Sequence, residues 1–168
     1  MTEFVTLVEK PRFPYPSDKT WTSADRPNPN VVHVAAVTED GLMVIVKQWR
    51  PPVQAYVWEL PAGLMDVQGE TIEECAAREL LEETGYSSDF EPVILMDSTV
   101  SAGLTNEISH LVQIRLEIYG EPVASPEEGI EVMLIDTGDD PSFIYQMLRK
   151  TGHLVDSKIF SALSFVKE

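Results

Sequence analysis

The chain has 168 residues, which at roughly 150 residues per domain predicts one compact domain. Apolar residues make up 43% and charged residues 24%, close to globular averages, which excludes a fibrous or mostly disordered chain. Twelve Lys and Arg against 28 Asp and Glu leave a formal net charge of −16; such a surface repels phosphate backbones, so no duplex nucleic acid and no membrane is expected as a partner, and a nucleotide must be met locally through metal ions or a few arginines.

The N-terminus, MTEFVTLVEKPRFPYP, lacks a basic n-region and an apolar h-region, so no signal peptide is read. No apolar run approaches the ~18 residues of a membrane span, and a cytoplasmic location is expected. Residues 1–30 are punctuated by Pro11, Pro14, Pro16, Pro27 and Pro29 and are expected to form an arm on the surface or on a partner chain. Phe13, Tyr15 and Trp21 make it unusually aromatic. Residues 31–168 form the expected main domain. VVHVAAV, a turn at Glu39–Gly41 and LMVIVKQW read as a β-hairpin, followed by a short strand near Tyr56–Leu60. A helix is expected over Ile72–Thr84, with Thr71 and Glu74 as a capping box and Gly85 as the stop. Strands follow near Val93–Met96, in HLVQIRLEIY and in EVMLID, and then two helices, one starting near Pro141 and one capped by Asp156. The mixture predicts an α/β fold, a mixed sheet with helices packed on it.

The helix at 72–84 carries an anomaly. At 100° per residue, Glu79, Glu82 and Glu83 share an arc of roughly 100°, beside an apolar set of Ala76, Ala77, Leu80 and Leu81. Glu79 and Glu83 are a like-charge i,i+4 pair, costing about 0.2–0.5 kcal/mol, and Glu82 is the one with a helical partner, Arg78. An acidic protein can carry such a stripe as a solvated face. The competing reading is a hard-cation site, because carboxylates one turn apart supply the oxygen ligands that magnesium takes. Just upstream, Trp58 to Gly63 ends a strand in a tight loop, where Gly63 permits a close or left-handed turn that can aim a carbonyl such as that of Ala62 toward the acids.

GLMDVQGETIEECAARELLEETGY resembles the Nudix box. Its second half matches fully, from Glu70 through Arg78, Glu79, Leu80, Glu82, Glu83 and Gly85 to Tyr86; its first half departs, with six residues in place of five between Gly63 and Glu70. VKQWRPPVQAYVWELPAGLMD and SAGLTNE resemble the branch that contains ADP-ribose pyrophosphatases and related nucleoside diphosphate sugar hydrolases. The resemblance implies a Nudix-type α/β/α sandwich and Mg²⁺- or Mn²⁺-dependent hydrolysis of a nucleoside diphosphate sugar. It also implies a homodimer in which the N-terminal segment helps build the partner's pocket. By the same resemblance Glu79 and Glu83 are the principal metal ligands, Glu82 an additional or water-mediated one, and the Ala62 carbonyl a backbone ligand. Arg78 orients the acidic cluster, Glu70 is the first glutamate of the box, Arg50 and Glu59 contact substrate, and Trp21 stacks on the base.

A carboxylate that takes the proton from an attacking water is typically worth about 10²–10⁴-fold. The resemblance places it in a loop after the box, here SPEEGIEV, with Glu128 first and Glu127 second; the plain alternative is an exposed acidic turn. His33, His110 and His153 lack zinc spacing and are expected in structural roles. Cys75 is the single cysteine, which excludes an intrachain disulfide and fits a reducing compartment, and it is expected as a small core residue. Trp58 and Tyr86 are expected to pack, and the residues from Asp136 to Asp140 to form a turn and helix cap rather than a calcium loop. Against the enzyme stands a nucleotide-binding sensor of the same fold; the intact acidic set disfavours it, and the extra loop residue is the one feature in its favour.

Overall fold

A computed structural model describes residues 5–11, 20–117 and 129–166. Phe13, Tyr15 and the loop glutamates Glu127 and Glu128 lie outside the described residues.

The expected irregular arm contains a two-stranded antiparallel sheet, β1 (Thr6–Pro11) with β2 (Thr20–Asp25). The prolines punctuate this segment, but the runs TLVEK and TWTSA are long enough to pair. The β2 strand docks on a later loop, where Ala24 N–H donates to the Leu104 carbonyl at 2.7 Å.

The main sheet grows from a hairpin of β3 (Asn30–Thr38) and β4 (Leu42–Arg50). Gly41, at φ +83°, closes the turn by donating to the Thr38 carbonyl at 3.0 Å. Among the described residues the two strands share a single register pair, Val37 with Met43, and then diverge. β3 takes β6 (Ala62–Leu64) antiparallel on one side and β8 (Ile108–Leu116) parallel on the other, and β7 (Val93–Thr99) extends β8. β4 takes β5 (Ala55–Glu59) and β9 (Glu131–Asp136), both antiparallel, and β10 (Leu154–Val155) extends β5.

Helices cover both faces, which is why β3 is buried along nearly its whole length rather than alternating with solvent. On one face, Cys75, Ala76 and Leu80 of α1 (Ile72–Thr84) pack with Val32, Val34, Ala36, Val44 and Val112. On the other, Ile144 and Leu148 of α2 (Pro141–Lys150) and Ile159, Ala162 and Leu163 of α3 (Lys158–Val166) pack with Ala35, Met43, Ile45, Trp58 and Leu60. The expected α/β/α sandwich with a mixed sheet is borne out. Among the described residues no helix is long and apolar enough to cross a membrane.

Helix ends follow the sequence signals. Glu74 N–H donates to Thr71 Oγ1 at 3.2 Å, and Thr71 N–H to Glu74 Oε2 at 2.8 Å. Gly85 stops α1 in the left-handed region at φ +76°. Asp140 caps α2 through Ser142 N–H, and Asp156 accepts from Lys158 N–H at 2.7 Å.

Candidate active site

Of the acidic stripe only Glu82 lies on a solvated face. Glu79 and Glu83 are 9% and 6% exposed, whereas Ala77 and Leu81, expected among the packing residues, face outward. The buried face of α1 is made of Cys75, Ala76, Glu79, Leu80, Glu83 and Thr84, so two carboxylates take packing positions beside the sheet. Burying a carboxylate is costly unless it is paired or hydrogen-bonded, and both have partners.

Arg78 is the hub. Its guanidinium meets Glu79 Oε1 at 2.6 Å and Glu82 Oε2 at 3.1 Å, and grips Glu70 with two bonds of 2.8 and 3.1 Å. The expectation that Glu82 alone had a helical partner is therefore corrected, because the guanidinium fork reaches the neighbouring Glu79 as well. Glu70 reaches Arg78 despite the longer loop before it. The Arg78 hydrogen bonds hold the Glu70 carboxyl below its ordinary range, and those of Glu70 and Glu79 push the guanidinium further up.

Glu83 is held differently. Its Oε2 accepts from Ala62 N–H at 3.0 Å, and its Oε1 faces Gln48 Nε2 at 3.4 Å. Burial pushes its carboxyl up to about 7, against the pull of the Ala62 N–H. Glu79 is raised too, by burial first and against its bond to Arg78. Gly63 makes room for this arrangement: a Cβ there would lie 1.9 Å from the Glu79 carboxylate. Close approach, rather than a left-handed turn, is what this position requires.

Nearby, Arg50 forms a two-pronged pair with the buried Glu59 at 2.8 and 2.7 Å. This pair and the field of Glu83 raise the guanidinium, against desolvation. Trp21 stands apart from the acids, on the loop that follows β7, where its indole N–H donates to the Gly103 carbonyl at 2.6 Å. The sequence reading missed Gln48, which reaches Glu83 only because β4 passes beside α1; one strand's pattern carries no sign of that.

No histidine joins the acids. His110 bridges Asp97 and Asn30 at 2.7 and 2.9 Å. His33 is buried on the opposite face, and neither ring nitrogen has a partner among the described residues. Cys75 is fully buried, and burial pushes its thiol up to about 12. Trp58 packs in the core with its indole N–H on Thr151 Oγ1 at 3.0 Å.

Among the described residues, no three carboxylate, imidazole or thiolate groups gather into a closed metal cluster. Magnesium does not need one, since it keeps several waters and takes one or two carboxylates. The donors present, the carboxylates of Glu79, Glu82 and Glu83, are hard oxygens of the kind magnesium takes.

The chain matches the NUDIX domain over residues 27–140, and it belongs to that family. It is 32% identical over 140 residues to a methanol dehydrogenase activator of Bacillus methanolicus, covering 83% of this chain and 73% of that one. It is 42% identical over 114 residues to an ADP-ribose pyrophosphatase of Bacillus subtilis, covering 67% of this chain and 60% of the relative. It is also 30% identical over 128 residues to an ADP-sugar pyrophosphatase of Mus musculus, covering 71% and 56%.

Proposed function

We propose that the chain is a metal-dependent pyrophosphohydrolase. On this reading it cleaves ADP-ribose or a related nucleoside diphosphate sugar to a nucleoside monophosphate and a sugar phosphate. The observation that carries the reading is the buried pair Glu79 and Glu83, kept at packing positions by Arg78 and Ala62 N–H, with Gly63 leaving room for the Glu79 carboxylate. A fold does not retain two such carboxylates in its packing face for stability alone, since apolar residues there would cost less. Pyrophosphatase names recur among the relatives and point the same way.

In this reading Glu79 and Glu83, with Glu82 and the Ala62 carbonyl, hold Mg²⁺ or Mn²⁺. When bound, the ion neutralises the diphosphate and lowers the pKa of a coordinated water. Arg78 fixes the carboxylate of Glu79 while its grip on Glu70 anchors the loop. Arg50, oriented by Glu59, contacts the substrate, and Trp21 offers an indole face to the base. Glu128, or Glu127 in its place, takes the proton from water. The chain acts as a homodimer, with the β1–β2 sheet beside its partner's pocket.

The test is phosphate release, with a coupled phosphatase, from ADP-ribose, GDP-mannose, ADP-glucose, a dinucleoside polyphosphate and nucleoside triphosphates in Mg²⁺ and in Mn²⁺. Cleavage of a diphosphate sugar that stops on chelation is the expected result. Nucleotide binding without cleavage of any of them would favour the sensor. One observation weighs against the sensor: Glu70 still grips Arg78, so the longer loop leaves the hub intact.

A further inference from the structure

The six-residue spacer between Gly63 and Glu70 is the one departure from the family motif, and the fold shows where it goes. Met65 N–H continues the ladder to the Asn30 carbonyl at 3.2 Å, and Glu70 N–H closes a turn on the Val67 carbonyl at 3.2 Å. Gly69 takes φ +86° in that turn. The loop therefore pushes Asp66, Val67 and Gln68 outward, where all three are exposed, and brings Glu70 back to Arg78.

The outward residues line a cavity of about 620 Å³ together with Arg26 and Asn28, and the Asn28 amide donates to the Met65 carbonyl. That volume lies within the roughly 300–1,000 Å³ of small-molecule pockets. Arg78 joins it to the acids. The same guanidinium that meets Glu79 at 2.6 Å donates to the Leu64 carbonyl at 3.3 Å and grips Glu70, both of which line the cavity.

We infer that this lengthened loop builds the subsite for the sugar moiety of the substrate, an inference that rests on the pyrophosphohydrolase reading above. The chemistry of the wall selects the ligand class. The Asp66 carboxylate is 68% exposed and lies 4.0 Å from Arg78, at the edge of ion-pair range, so it is open to solvent and repels phosphate. None of the residues lining the cavity is aromatic, so a nucleobase finds no ring to stack on. Arg26 also lines the cavity, but its charge is met by Glu107 at 3.6 Å; a carboxylate acceptor and the Gln68 amide, set among apolar Leu64, Met65 and Val67, suit an uncharged group bearing neighbouring hydroxyls. Arg78, which meets Glu79 at 2.6 Å and the cavity-lining Glu70 at 2.8 Å, links this wall to the acids that would hold the diphosphate.

The experiment compares the wild type with Gln68→Ala and Asp66→Ala, measuring KM and kcat for ADP-ribose and the competitive inhibition constant of ADP. Both side chains are exposed, and a thermal melt checks that the fold is kept. Gln68→Ala is expected to raise KM for ADP-ribose by roughly five- to tenfold, the worth of one neutral hydrogen bond, and Asp66→Ala by about tenfold or more, the worth of a bond to a charged group. The inhibition constant for ADP should stay within about twofold, because ADP keeps the nucleoside ribose and lacks only the terminal sugar that this wall would hold. An unchanged KM, or a KM and inhibition constant that rise together, would overturn the subsite and leave the pyrophosphohydrolase reading standing. A wild type that turns over no diphosphate sugar overturns both.

Discussion

Glu83 shows how a single carboxyl links stability to function. Burial raises it to about 7 in the folded chain, from an ordinary value of 4.5. Between those values the folded state holds a proton that the unfolded state has released. Its contribution to stability is therefore full below pH 4.5 and is lost as pH rises through 7, a difference of about 3 kcal/mol. Glu83→Gln removes this penalty while keeping an acceptor for Ala62 N–H. At pH 8 the metal-free variant is expected to melt several degrees above the wild type, with the two converging near pH 4.5, and metal-dependent turnover is expected to fall by orders of magnitude. A lower melting temperature at pH 8, or wild-type rates, would contradict this account. The positions of the acids were legible, since Glu79 and Glu83 are one turn apart and Gly63 lies just upstream. Their burial was not, because an acidic stripe on a helix looks the same whether water or a sheet faces it.

At the scale of elements, β3 organises the molecule. It is covered by α1 on one face and by α3 on the other, so His33, one residue from the α1-facing Val32, points into the second core. With no partner for either ring nitrogen among the described residues, burial lowers its pKa to about 3, and the nearby charge of Lys158 adds to this. The unfolded chain takes up a proton near 6.5 that the folded chain refuses. The stability that depends on neutral His33 is full above pH 6.5 and is lost as pH falls toward 3, by up to about 5 kcal/mol. His33→Val suits a strand and does not titrate. Its melting temperature should fall less between pH 7 and pH 4 than that of the wild type, as calorimetry can measure; an equal fall would assign acid sensitivity elsewhere. The capping box of Thr71 and Glu74 and the Gly85 stop were readable because helix ends are local chemistry. The burial of His33 depends on two helices far along the chain.

For the whole molecule, the arrangement of the arm matters most. β2 delivers Trp21 to Gly103, where the indole N–H is tied to the backbone and the side chain is 46% exposed, which leaves ring surface for a base. Trp21→Ala should raise KM for the diphosphate sugar with little change in kcat; an unchanged KM would remove the indole from the substrate. The chain's own letters determined the fold class, the hairpin at Gly41, the helix ends and the acid pattern. Each of these rests on periodicity or on side chains reaching only a few residues. The tertiary structure alone decided that Glu79 and Glu83 are buried, that Arg78 joins Glu70 to the acidic turn, that Gln48 faces Glu83, and that a longer loop opens a cavity. Most of these depend on how the strands diverge from the hairpin and how the helices cover them, and the Arg78 contact with Glu70, eight residues away, depends on how the loop between them folds back.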